Sequence, residues 1–192
     1  MVNTAVLFAP GFEEVEGLTI VDILRRANIN TSIIGVNEKE VTGAHEVTIK
    51  TDKALDELNI DELDALILPG GSPGFKNLQN NNTVISMIKE AHNKKKIVAA
   101  ICASPSVLAT AGILDQKKAT IYPGMEEEIK KAGGIFVDDL VVIDNNIVTS
   151  KGPATTMLFA LKLVEILKDK NTSNEVKNKV LLPLIYKNKL KL

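Results

Sequence analysis

Apolar runs alternate with helical spacings along most of the chain. Thr4 to Ala9 (TAVLFA) is almost continuously apolar, as a strand buried on both faces requires. Pro10-Gly11 breaks it, and Val15, Leu18, Val21, Ile23 and Leu24 then recur at three or four residues, predicting a helix over 14–27. Thr31 to Val36 reads as a second strand. Val41 to Lys50 alternates around Gly43 and predicts a small hairpin. Ala65 to Leu68 (ALIL) is another buried strand, and it runs into Pro69-Gly70-Gly71-Ser72-Pro73-Gly74, the most turn-rich stretch of the sequence. A helix over 83–93 carries Val84, Ile85, Ile88 and Ala91 on one face. Ile97 to Ile101 (IVAAI) is the next strand, followed by Cys102 and a helical pattern over 104–111.

Further along, 119–122 reads as a short strand and 126–132 as a charged helix closed by Gly133-Gly134. Leu140 to Ile143 and Ile147 to Thr149 flank Asp144-Asn145-Asn146 as a hairpin, and 153–167 is an amphipathic helix with Pro in its first turn. Strands alternating with helices imply an α/β fold whose mostly parallel sheet is covered on both faces. No internal repeat or linker stands out. Residues 1–192 read as a single domain with a helical tail from about 172, in which Val180 to Ile185 forms an apolar patch suited to docking on the domain or a partner.

Composition changes this picture little but excludes several functions. The 192 residues are 45% hydrophobic and 24% charged, which argues against disorder. A formal net charge of -1 supplies no basic field for nucleic acid, and 4% aromatic residues with no Trp supply no stacking platform. No apolar run approaches the ~18–20 residues of a membrane span, and the first residues lack the pattern of a signal peptide. The lone cysteine has no partner for an internal disulfide. Together these predict a cytoplasmic protein without nucleic-acid or membrane partners.

That cysteine is the candidate chemistry. Cys102 follows a buried strand directly and precedes Ser104-Pro105, a helix start, so it occupies a strand–turn–helix elbow although the G-x-S-x-G signature is absent. The carboxyl end of a parallel strand faces the ligand crevice, and a helix N-terminus favours thiolate over thiol. A packed, inert thiol remains open from position alone; the small neighbours Ala99, Ala100, Ala103 and Ser104 leave room for a substrate. Two loops are expected to meet it. Glu13, Glu14 and Glu16 open the first helix, where acidic residues complement the dipole. Glu16 alone falls within the apolar face, where burial raises a carboxyl's pKa and suits it to moving a proton. The N–H groups of Gly70 and Gly71 have no side-chain cover; the Gly71 N–H, with that of Ala103, is an oxyanion-hole candidate, although a plain tight turn accounts for the glycines equally well.

Glu-Glu-Val-Glu ending at Glu16, Leu-Pro-Gly-Gly over 68–71 and Ala-Ala-Ile-Cys-Ala-Ser-Pro over 99–105 together resemble the DJ-one family, also called the ThiJ/PfpI superfamily, in its parkinsonism-associated, deglycase-like branch. Asp22 to Ala27 and Thr149 to Pro153 match in position, and the resemblance spans roughly residues 3 to 185. It implies a flavodoxin-like three-layer sandwich and a homodimer. It assigns Cys102 as the oxidisable nucleophile, Glu16 as its carboxyl partner, and Gly71 and Ala103 as the oxyanion site. It further implies cofactor-free conversion of methylglyoxal or glyoxal to the hydroxy acid, deglycation, or redox-sensing and chaperone roles. The sequence departs from the pattern in three places. Tyr122 stands where several relatives carry a His, and Ser104 where others have Gly. His45 falls where some relatives place an Arg reaching the partner's site, and is carried as a substrate-binding candidate against the plainer reading of an exposed loop histidine.

The resulting expectation is a glutathione-independent glyoxalase (a lyase) or deglycase (a hydrolase) acting on a small dicarbonyl through Cys102, with no cofactor and no metal. One alternative is a redox sensor in which Cys102 oxidises to the sulfinate. The other is a Cys-His hydrolase or peptidase, which needs a base beside the thiol. Both histidines, His45 and His92, precede Cys102, and Ala103 follows it where peptidase-type relatives have His. One Cys and two distant His give no metal-ligand spacing, the Gly-rich loop lacks the Walker Lys, and Lys94-Lys95-Lys96 reads as a solvated helix end.

Overall fold

The computed structural model describes residues 1–187. Its strands are β1 (Asn3–Phe8), β2 (Asn30–Gly35), β3 (Glu40–Thr42), β4 (Thr48–Lys50), β5 (Lys53–Ala54), β6 (Ala65–Leu68), β7 (Ile97–Ile101), β8 (Lys118–Ala119), β9 (Ile135–Phe136), β10 (Val141–Asp144) and β11 (Ile147–Ser150). The helices are α1 (Glu14–Arg26), α2 (Gly74–Gln79), α3 (Asn82–Asn93), α4 (Pro105–Thr110), α5 (Glu126–Lys131), α6 (Thr156–Leu167), α7 (Lys170–Lys179) and α8 (Leu182–Lys187). Seven strands form one sheet in the order β10-β11-β7-β6-β1-β2-β5, parallel except for the β10–β11 hairpin.

Strand alternation explains why the sheet is covered twice. In β1, Ala5 and Leu7 join one core with Leu66, Leu68, Val98 and Ala100, beneath α2, α3 and α4. Val6 and Phe8 point the other way and join Ile67, Ala99 and Ile101 beneath α1 and α6, with Ile23, Phe159 and Leu163 as buried anchors. The result is a three-layer α/β sandwich, as expected. The chain winds outward from β1 to β2, then returns to β6 and continues through β7 and β11. The order therefore reverses between β1 and β6, the topological switch point where open α/β sheets bind ligands.

Three expectations change. The strand read over 119–122 forms only at Lys118–Ala119, outside the seven-stranded sheet. Instead β8 pairs with β9 in a small parallel ladder, and the chain beyond it is fixed irregularly, with Thr120 N–H donating to Thr149 Oγ1 at 2.9 Å. Pro153–Thr155 forms a 3-10 turn ahead of α6 rather than its first turn. The tail begins as α7 at Lys170, where the Asp169 side chain accepts from Thr172 N–H at 2.8 Å. Of the apolar patch over 180–185, Leu182 is buried against the α6-side core, whereas Leu181, Leu184 and Ile185 are exposed. The short helix α2 lies unread within the turn-rich stretch. The predicted hairpin over 41–50 is present as β3 and β4.

Candidate active site

Four chain segments converge above the carboxyl ends of β1, β6, β7 and β11. Cys102 ends β7. Its N–H donates to Ser150 O at 3.0 Å and its carbonyl accepts from Tyr122 N–H at 2.8 Å, so the backbone is gripped on both sides. Its φ is +64°, a left-handed conformation that non-glycine residues seldom adopt and that recurs where a side chain must be presented at a sharp turn. The N–H groups of Gly71 and Ala103 lie toward its sulfur and favour its charged form. Glu16, one turn into α1, is fully buried at 0% exposure. Its Oε2 accepts from Gly70 N–H at 2.7 Å, and its carboxyl also interacts with the Cys102 thiol. Oε1 is buried with no hydrogen-bond partner.

Gly70 is the reason these groups meet. A Cβ there would lie 2.5 Å from Cys102 Cβ, 2.8 Å from Glu16 Oε2 and 3.1 Å from the sulfur, so any side chain would drive carboxyl and thiol apart. The expected set of Cys102, Glu16, Gly70, Gly71 and Ala103 is thus assembled in one place.

The electrostatics differ from expectation. A thiol ahead of a helix is expected to ionise readily. Here burial, then the neighbouring Glu16 charge, push the Cys102 thiol up to about 12, against the two donating amides. Helix α4 has only six residues and starts three positions later, so its dipole does not dominate. Burial likewise raises Glu16 to about 7, with the Gly70 N–H opposing and Glu13 adding to the rise. Carboxyl and thiol act as one pair: a charge on either disfavours a charge on the other, and a proton on Glu16 stabilises a thiolate beside it.

His45 lies elsewhere. It is 70% exposed at the β3–β4 turn, with Nδ1 3.0 Å from Glu14 Oε2 and 3.7 Å from Glu13 Oε1. Within this chain it pairs with carboxylates of the first helix and is not among the groups at the sulfur. His92 closes α3, at the opposite end of the sheet from Cys102. Neither histidine touches the thiol, which removes the structural basis for a Cys-His hydrolase. Glu13, Glu14 and His45 form a cluster of metal-ligand type, but the Glu14 oxygens are already taken: Oε1 accepts from His45 N–H at 2.7 Å and Oε2 meets its ring. Ser104, read from the sequence as a helix start and a small neighbour of the sulfur, ties the elbow to the glycine loop, because its hydroxyl donates to Pro69 O at 2.5 Å. Tyr122 is half-exposed beside Gly152, and its backbone, not its ring, holds Cys102.

Residues 2–166 match the family model described as the DJ-1/PfpI family. The chain belongs to the DJ-1/PfpI family. Protein dj-1beta of Drosophila melanogaster is 36% identical over 175 residues, covering 91% of this chain and 94% of that relative. A Pyrococcus horikoshii protein named as a deglycase is 34% identical over 162 residues, covering 84% and 97%. The crystal structure of Drosophila melanogaster DJ-1beta superposes with a TM-score of 0.90 at 36% identity, covering 94% of this chain and 97% of that one. The α/β sandwich of this DJ-1/PfpI chain is thus shared with solved members, and among the described residues no helix is long and apolar enough to cross a membrane.

Proposed function

We propose that this protein is a cofactor-independent glyoxalase of the deglycase type, protecting its cell from methylglyoxal and glyoxal through Cys102. The observation that carries the reading is the placement of one sulfur between two amide donors, Gly71 and Ala103, and one buried carboxyl, Glu16. The deglycase-named relative supports an enzymatic role of this kind.

The chemistry follows from the shared proton. Glu16 as carboxylate takes the thiol proton while the sulfur attacks the aldehyde carbon of methylglyoxal, giving a hemithioacetal whose oxyanion lies by the Gly71 and Ala103 N–H groups. Glu16 returns that proton to the oxyanion and, as carboxylate again, moves the hydrogen of that carbon, as a proton, to the adjacent ketone carbon through an enediolate, while the hydroxyl proton passes from the first oxygen to the second. The first carbon is oxidised and the second reduced, so no external electron acceptor is needed. The product is a lactoyl thioester on Cys102, and water releases lactate and the thiol. The working form is a homodimer, for which α1 offers the exposed apolar residues Val15 and Leu18 beside the hairpin.

Methylglyoxal turnover, followed as lactate, tests the reading. Cys102→Ala should abolish it and Glu16→Gln should reduce it by about 10²-fold or more, the usual weight of a positioned acid–base group. Lactate formation retained in Cys102→Ala would sink the mechanism. The same geometry favours a second reading, redox sensing. The two amides and a protonated Glu16 would hold the oxygens of a sulfinate formed from thiolate and two equivalents of peroxide, each peroxide leaving as water. Selective addition of two oxygens at Cys102, seen by mass spectrometry after mild peroxide, is its signature.

A further inference from the structure

The glycine loop is held one peptide at a time. In the Pro69–Gly70 unit the carbonyl accepts from Ser104 Oγ at 2.5 Å and the N–H donates to Glu16 Oε2 at 2.7 Å. In the Gly70–Gly71 unit the carbonyl accepts from Glu13 N–H at 3.0 Å and the N–H lies toward the Cys102 sulfur, favouring its charge. Each reactive group thus sits at the donor end of a peptide whose acceptor end is fixed elsewhere. Only Ser104 does so with a side chain. It is 0% exposed, two residues beyond Cys102, and its own N–H donates to Ile101 O at 3.0 Å, so it is a rigid part of the elbow.

A peptide whose carbonyl accepts a strong hydrogen bond is polarised and donates more strongly from its N–H. We propose that Ser104 is a positioning residue that sets the proton affinity of Glu16 through the Pro69–Gly70 peptide, and so decides how the Glu16–Cys102 pair divides a single negative charge. The proposal rests on Glu16 being the proton partner of Cys102. The other charged group acting on Glu16 is Glu13, which a change at Ser104 leaves in place. With the hydroxyl present, the charge is drawn to the carboxylate and the sulfur is kept as a thiol until a substrate arrives. Without it, the same charge moves toward sulfur. The chain holds one cysteine, so a thiol reagent reads this site alone.

Alkylation of Cys102 by iodoacetamide, followed from about pH 5 to about pH 9, tests the proposal. If the singly charged pair is mostly carboxylate, weakening the Gly70 donor raises both the midpoint and the plateau of the rate and leaves the acid limb unchanged. For Ser104→Ala we expect a midpoint about 0.5 unit higher and a plateau about threefold higher, from the loss of part of one charge-assisted hydrogen bond. Ser104→Gly removes the same hydroxyl and must move both quantities in the same direction. In a Glu16→Gln background the Ser104→Ala change must have no effect. Profiles that coincide with wild type, a plateau that falls, or a Ser104 effect that persists beside Gln would each overturn the proposal. Alkylation needs no dicarbonyl, so absent methylglyoxal turnover would sink the proposed reaction without deciding this point.

Discussion

Glu16 carries an unusual burden for its position. A carboxyl at 0% exposure with one oxygen unpartnered destabilises the fold whenever it is charged. Its folded value of about 7 lies above the ordinary 4.5. A group raised in this way contributes stability that is fully present below 4.5 and is lost as the pH rises through about 7. Glu16→Gln keeps the shape and removes the charge. Its melting temperature should therefore exceed that of wild type at pH 8 and approach it at pH 4, with a difference in unfolding free energy of up to about 3 kcal/mol between the two conditions. Denaturant titrations at both values check this, and an equal effect at each would contradict it. On the proposed mechanism, activity and stability pull against each other at this one carboxyl.

At the scale of elements, the β3–β4 hairpin is latched onto the start of α1. Glu14, 7% exposed, lies under the turn: its Oε1 accepts from the N–H groups of His45 and Val47, and its Oε2 meets the His45 ring. Burial opposes the charge on Glu14, but these hydrogen bonds hold its carboxyl below the usual 4.5. The Glu14 hydrogen bond, then the charges of Glu13 and Glu14, raise His45 above 6.5. The lowered acid stabilises the latch above 4.5 and fails as the pH falls through its folded value. The raised base stabilises it below 6.5 and fails as the pH climbs through its own. Both contributions are complete only between 4.5 and 6.5. Amide exchange at 43–47, corrected for intrinsic rates, should be slowest in that window. His45→Gln should remove the loss on the alkaline side and spare the acid side. Solvent screens the exposed imidazole, so the alkaline change is small.

For the whole molecule, the core and the site meet only in part. Leu163 of α6 is fully buried in the core shared with α1, against which Cys102 packs as a partly buried residue. Leu163→Ala should cost about 2–5 kcal/mol in urea unfolding, the range for a truncated core leucine. The pH midpoint of Cys102 alkylation should stay at the wild-type value under native conditions. A shifted midpoint would mean that α6 packing tunes the site. The arrangement of strands does what no single element does. By reversing direction between β1 and β6, the sheet brings residue 16 within reach of residues 70 and 102.

The sequence alone determined the elements whose signal is local. Continuous apolar runs marked β1, β6 and β7, because a strand covered on both faces has no polar side to show. Spacing marked α1 and α3, and the order of elements marked the parallel sheet. Cys102, Glu16, Gly70, Gly71 and Ala103 were legible because their positions relative to strand ends and helix starts are local features. The tertiary structure decided everything that depends on neighbours distant in sequence. The strand read over 119–122 shortens to β8, which pairs with β9 rather than with the main sheet. The apolar patch over 180–185 is split by its helix, so only part of it docks. His45 belongs to Glu14, across 31 positions, and Ser104 to Pro69, across 35. The proton affinity of Cys102 changed most between sequence and structure. Position in the chain pointed to a ready thiolate, but burial and one carboxylate from α1 raise the thiol instead. Desolvation and charge act through space, and only the packed structure brings residues 16 and 102 together.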